Sequence, residues 1–199
     1  MTLLNAEFVS SKLTHEALYL QGHGANGDYL GGGGLMYYTI VYALKAEICV
    51  CLGSGGGFVP RIMRQAQLDL GLKNAQTILI DDGSGRWGHT IVHDRTSFFC
   101  KEYPDIKVLK INTDVAFIRL VDMKLDYVHV DANHSYPFVR SDFDNYKRLL
   151  KDTGVMTFHD TKTQCGVPQL IKEIRADPDW DVVNFPDIGC GFALVRRKQ

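Results

Sequence analysis

The sequence predicts a doubly wound α/β fold on a mostly parallel, seven-stranded sheet that ends in an antiparallel hairpin at its carboxyl-terminal edge. Three observations carry that expectation. Short apolar runs alternate with stretches of helical spacing along most of the chain. A glycine cluster, Gly53-Ser54-Gly55-Gly56-Gly57, follows the first of those runs. Asp81, Asp131 and Asp160 then stand just where later runs end.

In order, residues 35–46 read as a helix with apolar residues on more than one face, leading into a buried strand at 47–52. Residues 59–70 read as a helix that tolerates Pro60 in its first turn. Strands are predicted at 77–80 and 106–111, with helical pieces across 91–103 between them. Residues 125–130 form a fourth strand, 137–151 an amphipathic helix and 154–158 a fifth strand. A helix at 167–176 precedes the runs 180–185 and 191–196, joined by a turn at Pro186-Asp187-Ile188-Gly189 as a hairpin that puts one antiparallel strand at the sheet edge. The glycine-rich stretch 22–34 is expected to be a loop or lid.

At 199 residues, 45% hydrophobic and 23% charged, the chain suits a single domain, with residues 1–34 as an amino-terminal segment and 35–199 as the α/β core. Lysine and arginine total 22 against 23 acidic residues, so no overall field gathers nucleic acid or an anionic membrane, and neither is expected as a partner. Of the five cysteines only Cys49 and Cys51 lie close together, expected on opposite faces of a strand, which argues against a disulfide framework or a zinc site. The amino terminus lacks a basic start followed by an apolar run, and no apolar segment is long enough to cross a bilayer. A cytoplasmic protein is expected.

Ligands of open α/β sheets gather beyond the carboxyl ends of the strands, where glycine lets the backbone approach without a Cβ in the way. Gly53, Ser54, Gly55 and Gly57 are therefore candidate cofactor contacts, although Phe58 stands where a dinucleotide fingerprint has its third glycine. Asp81, followed by Asp82, is placed to accept hydrogen bonds from ribose hydroxyls, or is part of an aspartate-glycine turn. Thr113 and Asp114 reach an adenine edge or cap the next helix.

The strongest feature is a pair of strand ends. Residues 129–136 read HVDANHSY, which sets Asp131 at a strand end and His134 just beyond it; residues 158–161 read FHDT and bring His159 and Asp160 to a neighbouring end. So many ionisable groups are costly to desolvate unless they bind a cation, pair with each other or do chemistry. Asp131 and Asp160 suit a divalent ion such as Mg²⁺, with His159 a third ligand for a softer metal. His134 is placed to accept a proton from a hydroxyl. Helix capping and structural pairing are the alternative for all four, and His129, inside the strand, reads as a hydrogen-bonded core residue.

From Ile48 to Gln199 these motifs, VCLGSGGG, LIDD, LDYVHVDANHSY and VMTFHDT, resemble class I S-adenosylmethionine-dependent methyltransferases, with a Rossmann-like fold, and most of all the methyltransferase-24 group. The layout is also similar to catechol and caffeoyl-CoA O-methyltransferases. The resemblance implies transfer of a methyl group from S-adenosylmethionine to an oxygen of a small-molecule acceptor. It implies a metal held by Asp131 with His159 and Asp160, catalysis by His134 with Asp131, and a cofactor site that includes Asp131. Two departures stand out: Cys51 occupies the usual acidic position two before the first glycine, and His159 replaces a carboxylate of the metal-dependent relatives.

Two other functions fit parts of this pattern. The glycine turn and Asp81 would serve the ribose of an NAD(P)-dependent oxidoreductase, and Cys51 suits a methyltransferase-like binding domain without chemistry. An acceptor pocket is expected from residues 22–34, 83–93 and 161–166, with Tyr29, Trp87, Tyr136 and Phe138 able to stack on a ring. Small domains of this kind often pair to complete a pocket, which makes a homodimer an expectation.

Overall fold

The structure, a computed structural model, describes residues 34–53, 56–84, 91–162 and 166–199. The expected lid at 22–33, Ser54, Gly55, Tyr29, Trp87 and Cys165 lie outside the described residues. The elements are α1 (Gly34–Leu44), β1 (Ile48–Leu52), α2 (Phe58–Asp69), β2 (Gln76–Ile80), a 3-10 turn (Ile91–His93), α3 (Phe98–Glu102), β3 (Lys107–Leu109), α4 (Thr113–Arg119), β4 (Leu125–Val130), α5 (Tyr136–Tyr146), β5 (Leu150–His159), α6 (Gly166–Ala176), β6 (Trp180–Phe185) and β7 (Phe192–Arg197). Seven strands form one sheet in the order β3-β2-β1-β4-β5-β7-β6. The first five are parallel, and β7 runs antiparallel to both its neighbours. The order reverses between β1 and β4, and a doubly wound sheet opens its ligand crevice at such a switch.

Strand periodicity explains the two-sided core. On β1, Cys49 and Cys51 pack with α1, α2 and α3, while Val50 and Leu52 pack with α4, α5 and α6 on the other face. The two cysteines therefore share a face, contrary to expectation, because residues two apart on a strand point the same way. Phe58, Val59, Ile62, Met63 and Ala66 form the buried stripe of α2, which also packs on Tyr37, Tyr38 and Val41 of α1.

The largest differences from the sequence reading lie at the end of α5 and the start of β5. Helix α5 ends at Tyr146 rather than 151, since Leu149 and Leu150 turn inward as core residues and Leu149 accepts the amide of Leu125 at 2.9 Å. Their spacing had continued the amphipathic pattern of the helix. Strand β5 is correspondingly long; its register against β4 shifts between Leu125 and Tyr127, and a Cβ on Gly154 would meet Leu150 at 2.8 Å. At the carboxyl end β6 and β7 form the expected antiparallel hairpin, with β7 paired to β5 and β6 as the edge strand. The β6–β7 hairpin holds the residues that follow β5: Lys162 N donates to Cys190 O at 3.0 Å, and Thr161 Oγ1 donates to Asn184 Oδ1 of β6 at 2.7 Å.

Candidate active site

The carboxyl ends of β1, β2, β4 and β5 meet at one crevice. Gly53 N donates to Ile80 O at 2.8 Å and Asp131 N donates to Leu52 O at 2.8 Å, which ties the end of β1 to both neighbours. Gly53 has φ of +68°, and a Cβ there would overlap the backbone of Asp131 and Ala132. Gly57, at φ +86°, is the N-cap of α2, where a Cβ would strike the Phe99 ring at 2.5 Å. The glycines thus allow two close approaches that no other residue permits.

Beyond β4 the chain turns sharply. Asn133 Oδ1 accepts from the amide and hydroxyl of Ser135 at 3.0 and 2.9 Å, Pro137 opens α5, and His134 O accepts from Gly166 N at 2.8 Å. Pinned in this way, the His134 ring lies between two carboxylates, with Nε2 at 3.1 Å from Asp131 Oδ1 and Nδ1 at 2.8 Å from Asp160 Oδ2. His159 Nδ1 faces the same pair, at 3.2 Å from Asp131 Oδ1 and 3.6 Å from Asp160 Oδ2. Asp160 adopts φ of +60°, a left-handed conformation that aspartate tolerates better than most residues. One potential ligand atom from each of Asp131, His134, His159 and Asp160 lies within 4.8 Å of all the others. Such a group can hold a divalent metal.

The family model described as a methyltransferase domain, methyltransferase-24, matches residues 50–161, which include the glycine turn and both strand-end motifs. The chain belongs to the methyltransferase-24 family. It is also 30% identical over 145 residues to the uncharacterized protein y4gI of Sinorhizobium fredii, covering 69% of this chain but spanning only 16% of that relative's length. Solved structures show the same fold. An O-methyltransferase from Bacillus cereus in complex with SAH matches with a TM-score of 0.67 at 14% identity, over 96% of each chain. The SAH-bound methyltransferase PaMTH1 of Podospora anserina matches with a TM-score of 0.66 at 15% identity, over 100% of this chain and 99% of that one. TomG of Streptomyces achromogenes, an O-methyltransferase involved in tomaymycin synthesis and solved with SAM, matches with 0.67 at 13% identity, over 96% and 94%.

Within this methyltransferase-24 fold the remaining candidates fall into two groups. Asp81 is buried at the tip of β2, where its Oδ1 accepts from Gly83 N at 2.8 Å and lies 3.4 Å from His93 Nε2. His93, the last residue of the 3-10 turn, was expected only within the acceptor-pocket segment 83–93, and sequence reasoning missed it as a partner of Asp81. Asp82 is exposed and closes a turn by accepting from Ser84 N at 2.8 Å. Thr113 and Asp114 form the first turn of α4 and are engaged by α5: Ser141 Oγ donates to Asp114 Oδ1 at 3.2 Å, and Tyr146 Oη donates to Thr113 O at 2.8 Å. Tyr136 Oη donates to Glu173 at 2.8 Å, while Phe138 is exposed on α5. Cys51 is fully buried and donates to Gly53 O at 3.0 Å; burial, then the charges of Asp131 and Asp81, push its thiol well above the ordinary range. It is a neutral group that braces the glycine turn, not a substitute for a carboxylate.

Electrostatics couples the four-residue cluster. Burial works against a charged His134, but hydrogen bonds and charge from Asp131 and Asp160 outweigh it and raise the imidazole from 6.5 to about 10. Burial likewise opposes a charged His159, and the same carboxylates raise it well above its ordinary value. Burial opposes ionisation of Asp160 in turn, yet its bonds to both rings hold it well below the usual carboxylate range. Without a cation, two imidazolium and two carboxylate groups therefore neutralise one another.

A folded-state pKa raised above the unfolded value means that the folded protein keeps a proton which the unfolded chain loses near pH 6.5. This stabilisation is complete below that pH and is lost as pH rises through about 10. In chelator-treated protein, stability measured by urea unfolding should fall between pH 7 and 9 by roughly 1 kcal/mol per pH unit for each retained proton. His134→Asn should flatten the slope; an unchanged slope would remove His134 from the cluster's titration.

Proposed function

We propose that this chain is an S-adenosylmethionine-dependent O-methyltransferase acting on a hydroxyl of a small molecule, assisted by a divalent metal at Asp131, His159 and Asp160. The observation that carries the reading is the position of the cluster. The Asp160 carboxylate and two imidazoles, His134 and His159, converge on Asp131, whose backbone is in contact with Gly53 in a methyltransferase fold. Gly53 and Gly57 line the donor's approach and Asp81 is its ribose ligand; Ser54 and Gly55, expected to join them, lie outside the described residues. Asp82, Thr113 and Asp114 complete the proposed donor site, with Asp82 exposed and Thr113 and Asp114 braced by α5. Free thiols at Cys49, Cys51, Cys100 and Cys190 accord with a cytoplasmic setting.

The reaction is a displacement in which the acceptor oxygen bonds to the methyl carbon as the methyl–sulfur bond breaks and S-adenosylhomocysteine leaves. A bound metal would supply Lewis acidity that eases loss of the hydroxyl proton. His134 accepts that proton at a ring nitrogen. It can do so once Asp131 and Asp160 are engaged elsewhere, because those two carboxylates are what hold its proton so firmly.

Calorimetry should show S-adenosylhomocysteine binding with no response to NADH; the reverse would replace this reading with an oxidoreductase. With labelled S-adenosylmethionine and a panel of catechol-, sugar- and polyketide-like hydroxyl compounds, His134→Ala should lower kcat roughly 10²- to 10⁴-fold while donor affinity stays near wild type. Equal loss of both would make His134 structural. One imidazole with two carboxylates also favours a first-row ion such as Mn²⁺ over Mg²⁺, which prefers an all-oxygen shell. His159→Asp should narrow the ratio of Mg²⁺ to Mn²⁺ dissociation constants by about tenfold or more; an unaltered ratio would take His159 out of the ligand set.

A further inference from the structure

Behind Asp131, a line of polar side chains continues into the core. Tyr127 and His129 of β4 and Thr157 of β5 have no solvent exposure, and they lie on the sheet face covered by α1. His129 and Thr157 are direct cross-strand partners, and Tyr127 precedes His129 by two positions on the same face. Thr157 Oγ1 is 2.8 Å from Tyr127 Oη and 2.8 Å from His129 Nδ1. The other nitrogen of His129, Nε2, faces Asp131 Oδ2 at 3.9 Å. Tyr37 of α1 closes the side of the ring, edge-on, with centroids 4.7 Å apart.

Proton counting fixes the direction of this line. Thr157 is the hydrogen-bond partner of Tyr127 among the described residues, so a buried phenol uses its proton only by donating to Thr157. Thr157 then has one proton left to place, and the acceptor within reach is His129 Nδ1. In a neutral ring, His129 Nδ1 is thereby the acceptor and the proton sits on Nε2, towards the carboxylate. The opposite direction would turn a bare nitrogen lone pair to Asp131 and leave the phenol proton unused.

We propose that Tyr127, Thr157 and His129 form a one-way hydrogen-bond chain that presents an Nε2–H dipole to Asp131 Oδ2. At 3.9 Å this is an electrostatic alignment and not a direct hydrogen bond. It divides the work of the carboxylate: Oδ2 faces the core, and Oδ1 stays turned to His134 and His159. His129 is a positioning residue, and its functional importance rests on the role proposed above for Asp131. Partners behind a metal ligand set its orientation and its affinity in this way.

The chain is tested first by ¹⁵N NMR on histidine-labelled, metal-free protein. His129 should show a protonated Nε2 and an unprotonated Nδ1 in the wild type and in Thr157→Ser, and should lose that single tautomer in Thr157→Val, which keeps the shape but not the hydroxyl. A wild-type proton on Nδ1 would overturn the proposal. The second readout is Mn²⁺ affinity, with folding of each variant checked by thermal denaturation. Thr157→Val should weaken binding about tenfold, near the lower end of the range for lost outer contacts, with Thr157→Ser close to wild type. Equal affinity in all three would show that the chain does not position Asp131. Absence of Mn²⁺ binding in the wild type would defeat the metal reading alone, and the tautomer would still decide this one.

Discussion

The close approach of β1 to β4 at Gly53 is the constraint on which the rest depends. A left-handed backbone alone costs an L-residue roughly 1–2 kcal/mol, and here the space for a Cβ is already occupied by the backbone of Asp131 and Ala132. Backbone atoms fixed by ladder bonds on both sides have little freedom to move aside. The glycine therefore does two things at once: it opens the crevice at the topological switch and brings the Asp131 strand end against the turn that follows β1. On the function proposed above, a methyl donor over that turn and an acceptor at the cluster would be neighbours, because two strands finish side by side.

The second constraint is charge. Four ionisable side chains, none of them largely exposed, converge at the ends of β4 and β5. Isolated, each would be expensive to desolvate; together their charges cancel. The same balance would make the cluster responsive to a divalent cation, which would compete with the two imidazolium groups for the carboxylates. The chain arranges this with ordinary devices: an Asx turn at Asn133, a left-handed Asp160, and a hairpin loop that holds Thr161 and Lys162. Farther in, the buried Tyr127-Thr157-His129 line lies behind the Asp131 carboxylate.

Much of this was legible in the sequence because strand ends are marked by abrupt changes from apolar to ionisable residues. Both motifs, HVDANHSY and FHDT, fall where they were expected, and Asp131 and Asp160 face one another across His134. Where the reading slipped, local pattern was outweighed by tertiary contacts. Leu149 and Leu150 fit a helical stripe, but Leu149 lies in the turn after α5 and Leu150 opens β5. Sequence spacing placed His134 near Asp131 but could not show that its second nitrogen reaches Asp160 from another strand. His93 carried no periodic signal, and the meaning of His129 depends on a hydroxyl 28 residues away.

A crystal structure with S-adenosylhomocysteine and Mn²⁺ bears most directly on the central claim. The account requires the product's sulfur to lie over the Gly53–Gly57 turn facing the cluster, with the ion between Asp131 and Asp160. A product bound on the far side of the sheet, or an ion held elsewhere while His134 still bridges the two carboxylates, would contradict it.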